Sequence, residues 1–234
     1  LDQMKDKMIR DVSHELKSPV AQVQMAIDLW SMEVKKEHID RSKEEKFSKI
    51  INNSLQRLRK TIGSILDLSV LESGRLMFRK EPIQMDELVL QITTSMRLLA
   101  EKKGLAFINH VNQGLPVVIG DKDEIQRVVT NLIDNAIKYT EKGEIHLFLE
   151  QRDAFIEFAV KDTGVGIGLP KDQFGKLFER FFQERPMVDG AGVGLAICKN
   201  IIDVHKGTLW AESEGRGNGS TFKFTLPIAQ QAIS

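Results

Sequence analysis

The hydrophobic positions change period once along the chain, and that change divides it. From Ile9 onward, apolar residues recur at Val12, Leu16, Val20, Val23, Ile27, Trp30 and Val34, the spacing of one helical face. The pattern predicts a helix from about Leu1 to Glu37. A second stripe, Phe47, Ile51, Leu55, Leu58, Ile62, Ile65, Leu68 and Leu71, predicts another from Ser42 to Ser73, stopped by Gly74. Pro19 has no amide hydrogen and is expected to kink the first helix. An antiparallel pair with one apolar face each leaves much of that surface wet. Two hairpins forming a four-helix bundle bury it, so a homodimer through residues 1–75 is expected.

From Arg75 the texture becomes mixed, and residues 76–234 are expected to form a second domain. Leu76–Arg79, Leu105–His110 and Val117–Ile119 read as short strands, with an amphipathic helix over Asp86–Lys103. Strands at Ile145–Glu150 and Phe155–Lys161 are expected to form a hairpin around Arg152-Asp153, and Thr208–Glu212 with Thr221–Leu226 another through a glycine-rich turn. Sequential strands with helices between them point to an α+β layer rather than a parallel βαβ array.

Composition narrows the classes. With 33 basic and 33 acidic residues the net charge is zero, which gives no footprint for nucleic acid or a membrane surface. The single Cys198 cannot form an internal disulfide, in keeping with a reducing, cytoplasmic setting. The chain opens already inside helical periodicity, so an upstream segment is expected in a parent protein. Any sensor part or membrane anchor would lie there.

Candidate chemistry starts at His14, roughly 200° round the helix from both Val12 and Leu16 and so turned away from the apolar stripe. On the helix expected from Asp121 to Tyr139, with Asp121 and Glu124 as a capping box, Asn131, Asn135 and Lys138 stack on one line beside the buried stripe. Two carboxamides and an ammonium in a row suit magnesium and phosphate oxygens. Asp162-Thr163-Gly164-Val165-Gly166-Ile167-Gly168 follows a strand directly, and Gly190–Leu195 opens a helix running to about His205. Glycines there let backbone amides approach a phosphate. The segment between them, with Phe174, Phe178, Phe181 and Phe182, is long enough to act as a lid.

In this order the motifs resemble those of two-component sensor histidine kinases. His14-Glu15-Leu16-Lys17-Ser18-Pro19 resembles the H box, Asn131–Tyr139 the N box, Asp162–Gly168 the G1 box, Phe178–Phe182 the F box and Gly190–Ala196 the G2 box. The resemblance implies a dimerising, histidine-phosphotransfer hairpin over 1–75. After it, over 76–234, comes an α/β-sandwich ATP-binding domain of the gyrase, chaperone and histidine-kinase (Bergerat) type. It further implies ATP and Mg2+, with Asn135 ligating the metal, Asn131 and Lys138 facing phosphates, Tyr139 lining the pocket and Asp162 accepting from the adenine amine. Gly164, Gly166, Ile167, Arg180, Gly192, Gly194 and Leu195 complete the nucleotide set, and Thr221 matches a threonine supporting adenine recognition. His14 would be the phosphoacceptor, Glu15 the acid that helps remove its proton, and the receiver domain of a response regulator the partner. The linker Ser73-Gly74-Arg75 would be the hinge.

Three positions depart from the family pattern. Gln183 stands where an arginine is frequent, with Arg180 or Arg185 as substitutes, and Ala191 replaces a frequent threonine. Ser18 occupies the place of the threonine or asparagine found in enzymes that also dephosphorylate their regulator. Competing readings are an ATPase or protein serine kinase on the same ATP fold, and a catalytically silent scaffold.

Overall fold

The structure is a computed structural model of the chain, and it describes residues 2–35, 41–72, 79–180, 182–184 and 192–229. Within its first two helices, the side chains of 2–15, 41, 42, 57, 59–61 and 64–72 are outside the description. Two compact units result: Leu1–Arg75 with Arg185–Val193, and Leu76–Glu184 with Gly194–Ser234.

The first unit is a pair of long helices, α1 (Asp2–Val34) and α2 (Arg41–Glu72). α1 runs as one helix through Pro19, whose ring is buried. Ser54 Oγ donates to Gln22 Oε1 at 3.2 Å, and Lys43 Nζ meets Glu33 Oε1 at 3.2 Å. A later residue of α1 therefore meets an earlier one of α2, so the helices are antiparallel. Pro19, Ala26 and Glu33 form the buried line of α1. Val20, Ile27 and Val34, one position on, stay exposed, as do Leu55 and Ile62 of α2. The apolar stripe of α1 is thus split, with Leu16 and Val23 half-buried and Val20, Ile27, Trp30 and Val34 exposed.

In the second unit a five-stranded sheet carries three helices. Its strands are β2 (Ala106–Val111), β4 (Glu144–Arg152), β5 (Phe155–Asp162), β7 (Thr221–Pro227) and β6 (Thr208–Glu212), in that spatial order. β2 and β4 are parallel and the other pairs antiparallel. The short β1 (Glu81–Ile83) pairs with β3 (Val118–Gly120) apart from that sheet. β1 falls after the strand expected at Leu76–Arg79, most of which lies outside the described residues.

α3 (Met85–Lys102), α4 (Lys122–Tyr139) and α5 (Gly194–Val204) supply the apolar faces that cover the sheet. Leu88, Ile125, Leu132, Ile145, Leu147 and Phe158 are sealed from solvent, and the Phe158 and Phe224 rings stack at 5.1 Å. Burying each such side chain contributes about 1.5–3 kcal/mol before chain entropy is subtracted. Cys198 sits in this core, where burial pushes its thiol up to about 12 and removes it from redox chemistry. Among the described residues no helix is long and apolar enough to cross a membrane.

The expected lid is partly ordered framework. Lys171–Phe178 forms a 3-10 helix, and Phe174 packs with Ile167 and Ala211 in a small satellite core that Phe178 and Phe222 flank. Phe174 and Phe178 thus dock rather than cover a site, because a buried ring pins the backbone that carries it, while Phe181 lies outside the described residues.

Candidate nucleotide site

α4 begins where Asp121 takes an extended conformation and its carboxylate accepts from the amides of Asp123 and Glu124 at 3.2 Å each. Those are two of the helix's unpaired first-turn donors. His205 fixes the same junction from α5. Its Nε2 accepts from the Asp121 amide at 2.9 Å, while Nδ1 donates to the Ile201 carbonyl at 2.7 Å.

With its start pinned, α4 presents Asn131, Asn135 and Lys138 along one half-buried line. Asn135 Nδ2 donates to Asn131 Oδ1 at 3.1 Å. That bond uses the Asn135 amide nitrogen and leaves its Oδ1, a hard oxygen ligand, outside the pair. This fits a divalent ion that takes few protein ligands and completes its shell with phosphate and water. Among the described residues no group of three or more His, Cys, Asp or Glu could hold a metal, so such an ion would lean on amide oxygen. Lys138 Nζ lies 5.2 Å from the Tyr139 ring centroid.

Asp162 ends β5 almost fully buried. Its Oδ1 accepts from the Gly164 amide at 2.8 Å and the Ser220 amide at 3.3 Å, and its Oδ2 from the Ser220 hydroxyl at 2.5 Å. Burial raises the pKa of this carboxyl, and the three hydrogen bonds oppose the shift.

The glycines are held at close range by backbone. Gly166 has φ +66°, and a Cβ there would stand 2.1 Å from the Gly215 carbonyl oxygen. One at Gly164 would collide with the Tyr139 carbonyl, which accepts from the Val165 amide at 3.1 Å. Gly194 opens α5 so near Asn131 that a Cβ would lie 2.6 Å from Nδ2. Ser213 ties the loop down, accepting from the Ile167 amide at 3.2 Å and donating to the Gly219 carbonyl at 2.6 Å.

In the second unit these contacts form two sets along α4, Asn131 and Asn135 with Gly194, and Tyr139 with Gly164 and Asp162. The Ile167 side chain points into the satellite core, and Arg180 is exposed. Thr221 is not brought to Asp162. β7 pairs Thr221 with Lys161 of β5, so its side chain lies on the sheet face opposite Asp162. The hydroxyl on Asp162 belongs to Ser220, which the sequence reading passed over. The alternation of buried Phe224 and Leu226 in β7 was the signal that could have found it.

His14 and Glu15 lie on α1 with side chains outside the described ones, and Ser18 is exposed one turn on. Arg185, Ala191, the glycine at 190 and the linker Ser73-Gly74-Arg75 lie outside the described residues. Gly192 takes φ +64° and Leu195 is half-buried in the first turn of α5.

Residues 4–74 match the family model described as the His Kinase A (phospho-acceptor) domain. Residues 120–230 match that of the histidine kinase-, DNA gyrase B- and HSP90-like ATPases. The chain belongs to the two-component histidine kinases. Among named kinases, it is 34% identical over 232 residues to the adaptive-response sensory kinase SasA of Crocosphaera subtropica, covering 96% of this chain and 59% of that protein. It is 33% identical to the sensor histidine kinase RcsC of Escherichia coli over 97% of this chain and 24% of RcsC. The chain therefore spans only part of these kinases. Its fold is that of the Acinetobacter baumannii histidine kinase AdeS, with TM-score 0.72 over 92% of this chain and 98% of that one at 24% identity. The histidine kinase ThkA, solved in complex with the response regulator protein TrrA, superposes with TM-score 0.74 at 27% identity, over 95% of this chain and 61% of that one.

Proposed function

We propose that this kinase core transfers the γ-phosphoryl group of ATP to His14 and passes it to an aspartate of a response regulator's receiver domain. The observation that carries the reading is the buried Asp162, held by three hydrogen bonds in a chain that also matches the phospho-acceptor domain. An ionised carboxylate only accepts, so it selects the exocyclic amine of adenine and rejects a carbonyl at that position. Asn131 and Lys138 would face the phosphates, with Gly164 and Gly194 keeping the backbone close. Asn135 would hold a magnesium ion through Oδ1, and the ion's charge would offset that of the phosphates.

Catalysis here is mainly positioning. The ring nitrogen of His14 farther from the backbone forms a bond to the γ-phosphorus as the bond to the β,γ-bridging oxygen breaks. ADP leaves, and the imidazole proton passes to Glu15. In the second transfer the receiver carboxylate attacks phosphorus, the P–N bond breaks and the imidazole takes back a proton. ThkA is paired with the regulator TrrA in its own structure, which supports a receiver domain as partner. Exposed Ser18, one turn from His14, would serve hydrolysis of the regulator's phosphoaspartate by orienting water.

The test is His14→Gln with labelled ATP and magnesium. Wild type is expected to gain label stable to alkali and lost in acid. The variant is expected to lose it entirely while binding ATP within about twofold of wild type, since acceptor and nucleotide groups lie on separate elements. Acid-stable label on wild type would point instead to a serine kinase, and undiminished label on the variant would place the acceptor elsewhere.

A further inference from the structure

α4 carries the nucleotide groups to its very last turn, where Lys138 and Tyr139 sit. A helix end leaves its final carbonyls without intrahelical partners. Here the partners come from elsewhere in the sequence. Lys103 Nζ donates to the Ile137 carbonyl at 2.6 Å and the Lys138 carbonyl at 3.0 Å, and the Val165 amide donates to the Tyr139 carbonyl at 3.1 Å. One ammonium and one G1-box amide thus hold three successive carbonyls. Beyond them Thr140 turns extended and the helix stops.

Lys103 is itself fixed. It is the C-cap of α3, its amide bonded to the Ala100 carbonyl at 3.0 Å, and Gly104 follows with φ +78°. The Leu105 amide returns to the Ala100 carbonyl at 3.0 Å, locking the turn from which the side chain leaves. A cation at the carbonyl end of α4 is also favoured by the helix dipole.

We propose that Lys103 is a positioning residue for the nucleotide site: by capping α4 it sets the backbone from which Lys138 and Tyr139 project and fixes the register of that turn against the Gly164–Val165 loop. It touches neither ATP nor the reacting atoms. The inference rests on the nucleotide reading above, and it differs from ordinary helix capping in what it alters, the geometry of one turn rather than the stability of the domain.

Tyr139 is the one tyrosine of the chain, so selective isotope labelling of tyrosine gives a single ring signal reporting on that turn by NMR. The 234-residue chain is compared with Lys103→Met, which keeps the aliphatic stem, and Lys103→Arg, whose donors can still span two carbonyls. For Lys103→Met we expect a displaced or broadened Tyr139 signal without nucleotide, ATP affinity lowered about three- to tenfold and a melting midpoint close to wild type. Lys103→Arg is expected to restore signal and affinity together. A methionine variant with an unmoved Tyr139 signal overturns the proposal, whether its affinity is normal or has fallen along with its melting midpoint. Should wild type fail to bind ATP at all, the nucleotide reading falls, and the Tyr139 signal alone then decides whether Lys103 sets the turn.

Discussion

In the proposed site, Asp162 would serve binding at the expense of the fold. Its burial disfavours the charged form and raises its pKa above the usual carboxylate range. A carboxyl whose folded pKa is raised gives stability that is fully present below the unfolded pKa and lost as pH rises through the folded one. At neutral pH an ionised Asp162 therefore weighs against folding. Asp162→Asn removes the buried charge, and its carbonyl oxygen still accepts from the Gly164 and Ser220 amides, while the Ser220 hydroxyl can rotate to accept from the new amide. We expect the variant to melt at or slightly above the wild-type temperature at pH 7, an advantage that vanishes in acid. Its affinity for ATP should fall about ten- to a hundredfold, because leaving one polar partner unpaired costs about 1–3 kcal/mol. A lower melting point together with unchanged affinity would remove Asp162 from the binding role and make it a structural acid.

At the scale of elements, the alternation of hydrophobic residues carried most of the second unit: β2 to β7 and α3 to α5 start and stop within a few residues of where periodicity, caps and glycines put them. What it did not carry was long-range contact. Ser220 and Thr221 are adjacent hydroxyls on opposite faces of β7; the buried Phe224 and Leu226 mark the face Ser220 shares, and the pairing with β5 supplies its partner, Asp162. Lys103 was equally illegible, because its partners stand more than thirty residues away, at Ile137 and Lys138. The glycine before Leu195 is expected from sequence to be a phosphate-loop residue, and the structure shows a close approach there that the sequence does not. A Cβ at Gly194 would meet the Asn131 carboxamide at 2.6 Å for Nδ2 and 3.1 Å for Oδ1, the far end of a side chain that can swing away. Gly194→Ala should accordingly fold, with a melting shift of no more than a few degrees, yet displace Asn131 from its bond to Asn135. We expect ATP affinity in magnesium to drop about tenfold or more, read by calorimetric titration. Wild-type affinity in this variant would mean that the paired asparagines are not part of the site.

For the whole molecule, the hairpin's own packing leaves a decision to be made by a second copy. The line that closes α1 on α2 is Pro19, Ala26 and Glu33, flanked by the Gln22–Ser54 and Glu33–Lys43 bonds, with Leu16 and Val23 half-buried beside it. Val20, Ile27 and Val34 recur every seventh residue and keep 53%, 40% and 49% of their surface exposed, with Leu55 and Ile62 of α2 at 44% and 43%. Sevenfold recurrence is the seam of a bundle rather than the scatter of a solvated face. We propose that this seam is the dimer interface, and that dimerisation supplies the core the hairpin lacks. Val20→Glu with Ile27→Glu should convert the dimer to monomer at micromolar concentration by light scattering. Burial of such side chains is worth about 1.5–3 kcal/mol each, so the pair should weaken association on the order of a hundredfold or more. Met25 is 64% exposed but lies roughly 140° round the helix from Val20, and Met25→Glu should leave the dimer intact. Wild type that scatters as a monomer, or a Met25→Glu variant that dissociates as readily as the seam variant, would show that the exposed stripe is not where two copies meet.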